Sequence, residues 1–151
     1  MLTLNQITAQ IQAVAAAHLQ LASNGVGDIH EWQSKPDRLY PLLWIFHEGS
    51  DLSDAYLTNN FRLIVADRVR NGEEGQDDEG MEHEVLSDTQ QIVLDLIAYF
   101  TQAHTEDYII ERTGRIEPFT ERTDDRVAGN SFIIAIKQPW NYNKCSTPIN
   151  K

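Results

Sequence analysis

The sequence predicts an α+β fold in which two main helices cover one face of an antiparallel sheet, in the order α-β-β-α-β-β. Three observations lead to this prediction. Two stretches repeat apolar residues at helical spacing, several shorter segments alternate apolar and polar residues, and short polar turns connect those segments. With 151 residues, of which 41% are hydrophobic, the chain is long enough to bury one substantial core.

The first helix is predicted over residues 4–22. Thr3 and Gln6 have the spacing of a capping box at its beginning, and the SNG sequence at 23–25 provides a glycine of the kind that ends helices. We expect His18 to be a packed or interface histidine because it belongs to the apolar stripe. That stripe consists of Leu4, Ile7, Ile11, Val14, His18 and Leu21.

Two strands are predicted next. Residues 39–46, LYPLLWIF, form a short aromatic and branched run in which Pro41 favours a strand start or a sheet edge. A polar turn at 47–54 precedes residues 55–70, which return to a β pattern. Both faces of that second strand are expected to be partly covered, because its alternate residues form two apolar sets. The sets are Phe61, Leu63 and Val65 on one face and Ile64 and Ala66 on the other.

An acidic loop, residues 71–86, is predicted between the second strand and the second helix. Its first fourteen positions contain seven acids and no Lys or Arg. The second helix is predicted over residues 88–103, with a capping box formed by Ser87 and Gln90. Its single apolar stripe consists of Ile92, Val93, Leu96, Ile97 and Phe100.

Two further strands are predicted in the last part of the chain. Residues 107–119 include a Gly-containing turn, and the TDDR sequence at 123–126 is predicted to be a turn with local ion pairing between two strands. In the final strand, Phe132, Ile134 and Ile136 alternate with Ile133, Ala135 and Lys137. We therefore expect one domain over residues 1–138, followed by an extended C-terminal arm, residues 139–151.

Charge and composition exclude several classes of function. The formal net charge is -11 and the isoelectric point is near 4.7, whereas a nucleic-acid footprint needs clustered Lys and Arg. Cys145 is the single cysteine, so neither a disulfide framework nor a cysteine-based metal site is expected. The N-terminus lacks the basic region of a signal peptide, and no apolar run approaches the roughly 20 residues that span a bilayer. We expect a protein made in the cytoplasm, without a membrane partner.

The common chemical motifs do not fit the sequence. An EF-hand loop that started at Asp77 would place Met81 at its fifth position and Gly80 two places early. The glycines of the acidic loop lie among carboxylates, which repel phosphate, and no G-K-[ST] sequence follows. A metal-dependent hydrolase that used Asp67, Asp124 or Asp125 lacks a ligand triad at a plausible spacing. We therefore predict a protein that is not an enzyme, with no catalytic residues, no cofactor and no metal.

The C-terminal arm carries aromatic residues outside any strand pattern, namely Trp140 and Tyr142. Such side chains often anchor a partner, because they bury a large area at little entropic cost. A tail that folds back over the edge of its own sheet is an equally good interpretation of the same residues.

Several segments together resemble a family. They are YPLLWIF, FRLIVADRV, the acidic loop, VLSDTQQIVLDLIAYF and, as the most specific part, ERTDDRVAGNSFIIAIKQPWNYNKC. On these the chain resembles small virion proteins of tailed bacteriophages, especially phages of Bacteroides-like hosts, related to tail terminator, tail completion and neck proteins. The resemblance extends over nearly the full chain, and it implies a tail-terminator-like fold.

The resemblance implies a noncatalytic subunit of a closed ring at the head-tail connector, or neck, or in the tail barrel. The expected partners are other copies of the chain and neighbouring portal, neck or tail proteins, with DNA only in passage. Lumen positions are predicted at Glu73, Glu74, Asp77, Asp78 and Glu79. Subunit contacts are predicted at Arg122, Asp124, Asp125, Arg126, Trp140 and Tyr142. An acidic protein that mimics DNA charge and regulates a DNA-processing enzyme is the alternative, because of the net charge.

Overall fold

The fold is known from a computed structural model, which describes residues 1–28, 31–32, 39–69, 78–102, 108–112, 114–122, 126–140 and 148–149. Within these ranges the protein is α+β, with two helices and a six-stranded sheet. The helices are α1 (Leu4–Ala17) and α2 (Asp78–Gln102). The strands are β1 (Ser23–Val26), β2 (Leu42–Leu52), β3 (Tyr56–Arg68), β4 (Ile109–Arg112), β5 (Glu117–Arg122) and β6 (Arg126–Pro139).

The sheet is built around β3 and β6, which pair antiparallel over thirteen residues of β3, from Tyr56 opposite Pro139 to Arg68 opposite Val127. The order across the sheet is β1-β2-β3-β6-β4, and β5 also pairs with β6. Along β6, β5 occupies the first part and β4 the last part of the same edge. The last strand of the chain therefore lies in the middle of the sheet.

The observed order, α-β-β-β-α-β-β-β, differs from the predicted α-β-β-α-β-β. Residues 23–25, predicted to end the first helix, belong to β1, which pairs parallel with β2. The sheet is therefore mixed, and the prediction of an antiparallel sheet was wrong in this respect. The helix ends at Ala17 rather than near residue 22, and the chain then enters β1 without a glycine cap.

The predicted polar turn at residues 47–54 was also wrong in its extent. β2 continues to Leu52, and the turn to β3 is confined to the residues between Leu52 and Tyr56. A register shift between His47 and Gly49 marks a β-bulge, which leaves Glu48 without a Cα partner in β3. Polar residues continue the strand because β3 pairs with it along its whole length.

The second helix begins at Asp78, ten residues before the predicted start. The predicted loop over residues 71–86 was therefore wrong for its second half, and Ser87 and Gln90 lie inside the helix instead of capping it. Acidic residues suit this position, because the N-terminus of a helix carries a partial positive charge that favours carboxylates. No helix of the described residues is long and apolar enough to cross a membrane.

The main core lies between the helices and one face of the sheet. Both predicted helix stripes contribute to it, through Ile7 and Ile11 of α1 and through Ile92, Val93, Leu96, Ile97 and Phe100 of α2. Ala15 of α1, which was not in the predicted stripe, is buried with them. The sheet contributes the predicted sets of alternating residues from β3 and β6, together with Leu43 and Ile45 of β2. We call α1 and α2 together the helix layer.

The opposite face of the sheet carries a second, smaller apolar cluster. Ile64 and Ala66 of β3 belong to it, as the prediction of two covered faces required. Trp32 covers part of this cluster and meets the ring of Phe119 edge-on, at 6.2 Å between centroids. The buried Gly129 of β6 lies opposite Phe119, and a Cβ at this glycine would meet the Val65 carbonyl oxygen at 1.9 Å.

Candidate functional site

The charge of the molecule is concentrated in one stretch of chain. Residues 71–107 contain eleven of the 23 acids and none of the 12 Lys and Arg residues, so the remainder is balanced, with twelve acids and twelve bases. Most of this stretch is α2, which alone carries six acids and no base. The net charge of -11 is thus a property of α2 and its flanking segments.

The outer surface of α2 is acidic from Glu84 to Asp95. Glu84, Asp88 and Asp95 are exposed there, and Glu84 and Asp88 lie one helical turn apart, about 6 Å along the axis. The neighbouring α1 carries no Asp, Glu, Lys or Arg. The two helices therefore present a surface whose only formal charges are carboxylates.

Buried polar contacts attach α2 to the sheet. Asn130 of β6, 4% exposed, donates from Nδ2 to the Leu86 carbonyl and to the Thr89 hydroxyl, both at 2.9 Å. One turn earlier, Arg126 Nη2 lies 2.9 Å from Glu82 Oε2, and both side chains are largely covered. These contacts hold the acidic first half of α2 against the beginning of β6.

A groove of about 540 Å³ lies between α1 and α2. It is lined mainly by apolar side chains, and such clefts of roughly 300 to 1,000 Å³ are typical of binding sites. Ile11, Leu96 and Phe100 are among its apolar lining residues. On one side Tyr108 donates to Gln10 Oε1 at 3.0 Å. The groove is therefore apolar inside and polar at its rim.

His18 and Asp95 close one end of this groove. Their side chains approach to 3.1 Å between His18 Nε2 and Asp95 Oδ2, and the Asp95 side chain remains 61% exposed. The His18 side chain is 14% exposed, which agrees with its predicted packed position. Asp95 therefore offers a solvent-accessible carboxylate at the groove.

The opposite face of the sheet has a different electrostatic character, because its charges are paired. Arg62 of β3 bonds to Glu48 through Nε and lies 3.3 Å from Glu117 through Nη1. The hydrogen bond that Arg62 donates to Glu48 is the main cause that raises the pKa of Arg62, and burial opposes it. A smaller cavity of about 340 Å³ beside this cluster is lined by Trp32 and Phe119.

Two of the five predicted lumen residues lie in the described part of the chain. Asp78 and Glu79 occupy the first turn of α2. Glu73, Glu74 and Asp77 lie outside the described residues. Part of the acidic stretch that was expected to form one loop therefore belongs to a helix.

The predicted subunit contacts are distributed between described and undescribed positions. Arg122 and Arg126 are Cα partners at one end of the pairing between β5 and β6. The Trp140 backbone N–H donates to the Ala55 carbonyl at 2.9 Å, next to the β2–β3 turn. Asp124, Asp125 and Tyr142 lie outside the described residues. Trp140 and the Arg122–Arg126 pair lie at opposite ends of the long β6.

Two buried amides of β6 were not singled out from the sequence. Asn130 and Gln138 lie on the core face of β6, in register with the apolar Phe132, Ile134 and Ile136. Gln138 binds the backbone of Leu2 twice, accepting from its N–H and donating to its carbonyl, both at 2.9 Å. The signal was present, because a polar residue at an apolar position of an alternating strand needs a buried partner.

No cluster of three or more His, Cys, Asp or Glu side chains arranged to hold a metal ion occurs in the described ranges. Comparison of the chain with models of protein families, and with curated protein sequences, gives no match.

Proposed function

We propose that this protein is a noncatalytic structural subunit of a tailed phage, which assembles into a ring at the head-tail connector, or neck, or in the tail barrel. The confinement of the net charge to residues 71–107 carries the proposal. A ring requires each copy to present two different surfaces, since its contacts are heterologous. The acidic helix layer and the charge-balanced sheet supply such a pair of surfaces, and the resemblance noted in the sequence points to the same role.

In this proposal the acids around the start of α2 line the passage for the genome. Carboxylates at Glu73, Glu74, Asp77, Asp78 and Glu79 repel DNA phosphates, which prevents the genome from adhering during passage. DNA is then a transient neighbour rather than a bound ligand. The subunit is made in the bacterial host cytoplasm and is incorporated into the virion tail or neck, beside portal, neck or tail proteins.

The first test is the native mass of the purified protein by multi-angle light scattering, with electron microscopy of the same fractions. Discrete rings of one stoichiometry are expected. Because some ring subunits close only on a platform, mass spectrometry of purified virions provides the second measurement. A protein that is monomeric at all concentrations and absent from virions would refute the proposal.

The passage role has its own test. A variant in which the five lumen acids are changed to Ser or Gln should assemble normally and eject its genome more slowly, because DNA is no longer repelled. Ejection can be followed by dye binding to released DNA, with Glu111→Gln and Asp54→Asn as exposed acids away from α2 for comparison. An unchanged rate would argue against a lumen position.

The structure favours one alternative more than the sequence did. A DNA mimic needs carboxylates spread over a surface, and Glu84, Asp88 and Asp95 extend the acidic surface along α2. Under this alternative the purified protein displaces DNA from a DNA-processing enzyme, and changing these three acids to the corresponding amides abolishes the displacement. Ring formation without any displacement would exclude it.

A further inference from the structure

We propose that the groove between α1 and α2 is the acceptor for the C-terminal residues 141–151 of a second copy of this chain. This inference rests on the proposed assembly into a homo-oligomer and specifies its contact. The occupant is identified by three properties of the groove and the segment: complementary charge, exposed apolar side chains and reach.

The charges of the two parts are opposite. The helix layer offers Asp88 and Asp95 at its surface and no Lys or Arg. Residues 126–151 contain four Lys or Arg residues and no Asp or Glu. This is the longest stretch of the chain that has basic residues and no acidic ones. Of these bases, Arg126 already binds Glu82, whereas Lys144 and Lys151 follow β6 in the terminal segment. A basic segment laid along the groove would place ammonium groups within reach of Asp95.

The apolar parts are complementary as well. The groove has an apolar lining and a volume sufficient for several side chains, and the described residues leave it open. Ile149 is 76% exposed in its own chain, so it does not fill the groove of that chain. Burial of an exposed Ile side chain stabilises a contact because it removes apolar surface from water. The segment thus brings the apolar group that the groove lacks.

The segment is long enough to reach a neighbour. β6 ends at Pro139, and the Trp140 N–H is fixed to the Ala55 carbonyl at the end of the sheet. Eleven residues follow Trp140. At up to about 3.3 Å per residue, they span roughly 36 Å, more than the diameter of a small domain. An arm of this length can cross a subunit boundary.

Cys145, the single cysteine, lies within the arm and makes a direct test possible. One chain carries Ala13→Cys together with Cys145→Ser, and the other is the native chain. Ala13 is exposed and lines the groove, so the new thiol reports on its occupant. The two proteins are mixed and oxidised gently, and disulfide-linked pairs of unlike chains are measured by mass spectrometry. The matched control carries Ala9→Cys and Cys145→Ser, because Ala9 is exposed on α1 one turn earlier and does not line the groove.

We expect at least ten times more mixed disulfide at position 13 than at position 9. Equal yields at both positions, or no mixed disulfide, would overturn the inference. A third chain, with Ala13→Cys and the native Cys145, reveals a loop closed within one chain. If that loop forms while mixed pairs do not, the arm occupies its own groove and the inference is wrong.

A second measurement separates this contact from the proposed ring. Ala13→Trp fills the groove at an exposed position that tolerates a large side chain, and Ala9→Trp is its control. Self-association measured by sedimentation should weaken at least tenfold for the first variant only. Specific cross-linking without rings would leave the arm contact standing and refute the ring. Rings that persist with Ala13→Trp, without specific cross-linking, would leave the ring standing and refute the arm contact.

Discussion

Replacing Asn130 by Asp tests the buried link between β6 and α2. The exchange keeps the shape of the side chain, but it removes an NH2 group that donates to the Leu86 carbonyl and the Thr89 hydroxyl at 2.9 Å each. Two lost hydrogen bonds amount to about 2 kcal/mol, and leaving the partly buried Leu86 carbonyl against a carboxylate adds roughly 1–3 kcal/mol more. We expect Asn130→Asp to lower the free energy of unfolding by about 3–5 kcal/mol at pH 7.

The pH dependence of this loss provides the sharper measurement. In the folded site the protonated carboxyl can still donate a hydrogen bond, whereas the ionised form is buried, so burial raises the pKa of the new group above its unfolded value. The deficit relative to the native chain is therefore largest above the folded pKa and shrinks as the pH falls through it. Urea titrations at pH 7 and pH 4.5 measure both effects.

Asn5→Asp is the matched control, because Asn5 is exposed in the first turn of α1. There a new carboxylate faces the positive end of the helix and should cost nothing. A loss below about 0.5 kcal/mol for Asn130→Asp at pH 7, or a deficit that does not change with pH, would show that the Asn130 amide does not attach α2 to the sheet.

Three further predictions concern other contacts. Gly129→Ala should destabilise the protein by several kcal/mol, because its Cβ would meet a backbone oxygen of β3 at 1.9 Å, whereas Gly114→Ala, with open space around it, should be neutral in thermal melts. Gln138→Ala removes two hydrogen bonds to Leu2 and should cost about 2 kcal/mol, with faster amide exchange at the start of α1. Arg62→Met should destabilise by about 1 kcal/mol in urea titrations. The pKa of Arg62 is raised in the folded protein, so Arg62 is charged in both the folded and the unfolded state at every pH below its unfolded pKa. The loss of stability should therefore be the same throughout the range from pH 6 to 9. Loss of stability for Gly114→Ala but not for Gly129→Ala, unchanged amide exchange in Gln138→Ala, or a loss that tracks deprotonation of Arg62 would contradict the respective argument.

Regular apolar patterns made part of this fold predictable from the sequence. The stripe of α2 and the alternation in β6 were predicted correctly because each apolar set faces a single core. The capping box at Thr3 and Gln6 was also correct, since both of its hydrogen bonds are local. These three features depend on residues that are close in sequence, so residue spacing was sufficient to predict them.

The errors occurred where distant parts of the chain determine the structure. β1 is only four residues long and mostly polar, and it forms because β2 pairs with it, with an additional bond from Gln12 to Asn24. The first ten residues of α2 contain few apolar side chains. They are fixed in part by Arg126, 44 residues away from its partner Glu82. Composition located the acidic surface, but only the fold showed that it continues along a helix beside an open groove.

The central position of β6 has a consequence for how the chain folds as it is synthesised. Until residues 126–139 leave the ribosome, β3 lacks its longest partner, and Gln138 is not available to hold the backbone of Leu2. Vectorial folding from the N-terminus therefore cannot reach a stable intermediate, since contacts between distant residues close the sheet only at the end. Nascent chains that stop before β6 should remain protease-sensitive and dependent on chaperones, and the protein should become resistant in one late step.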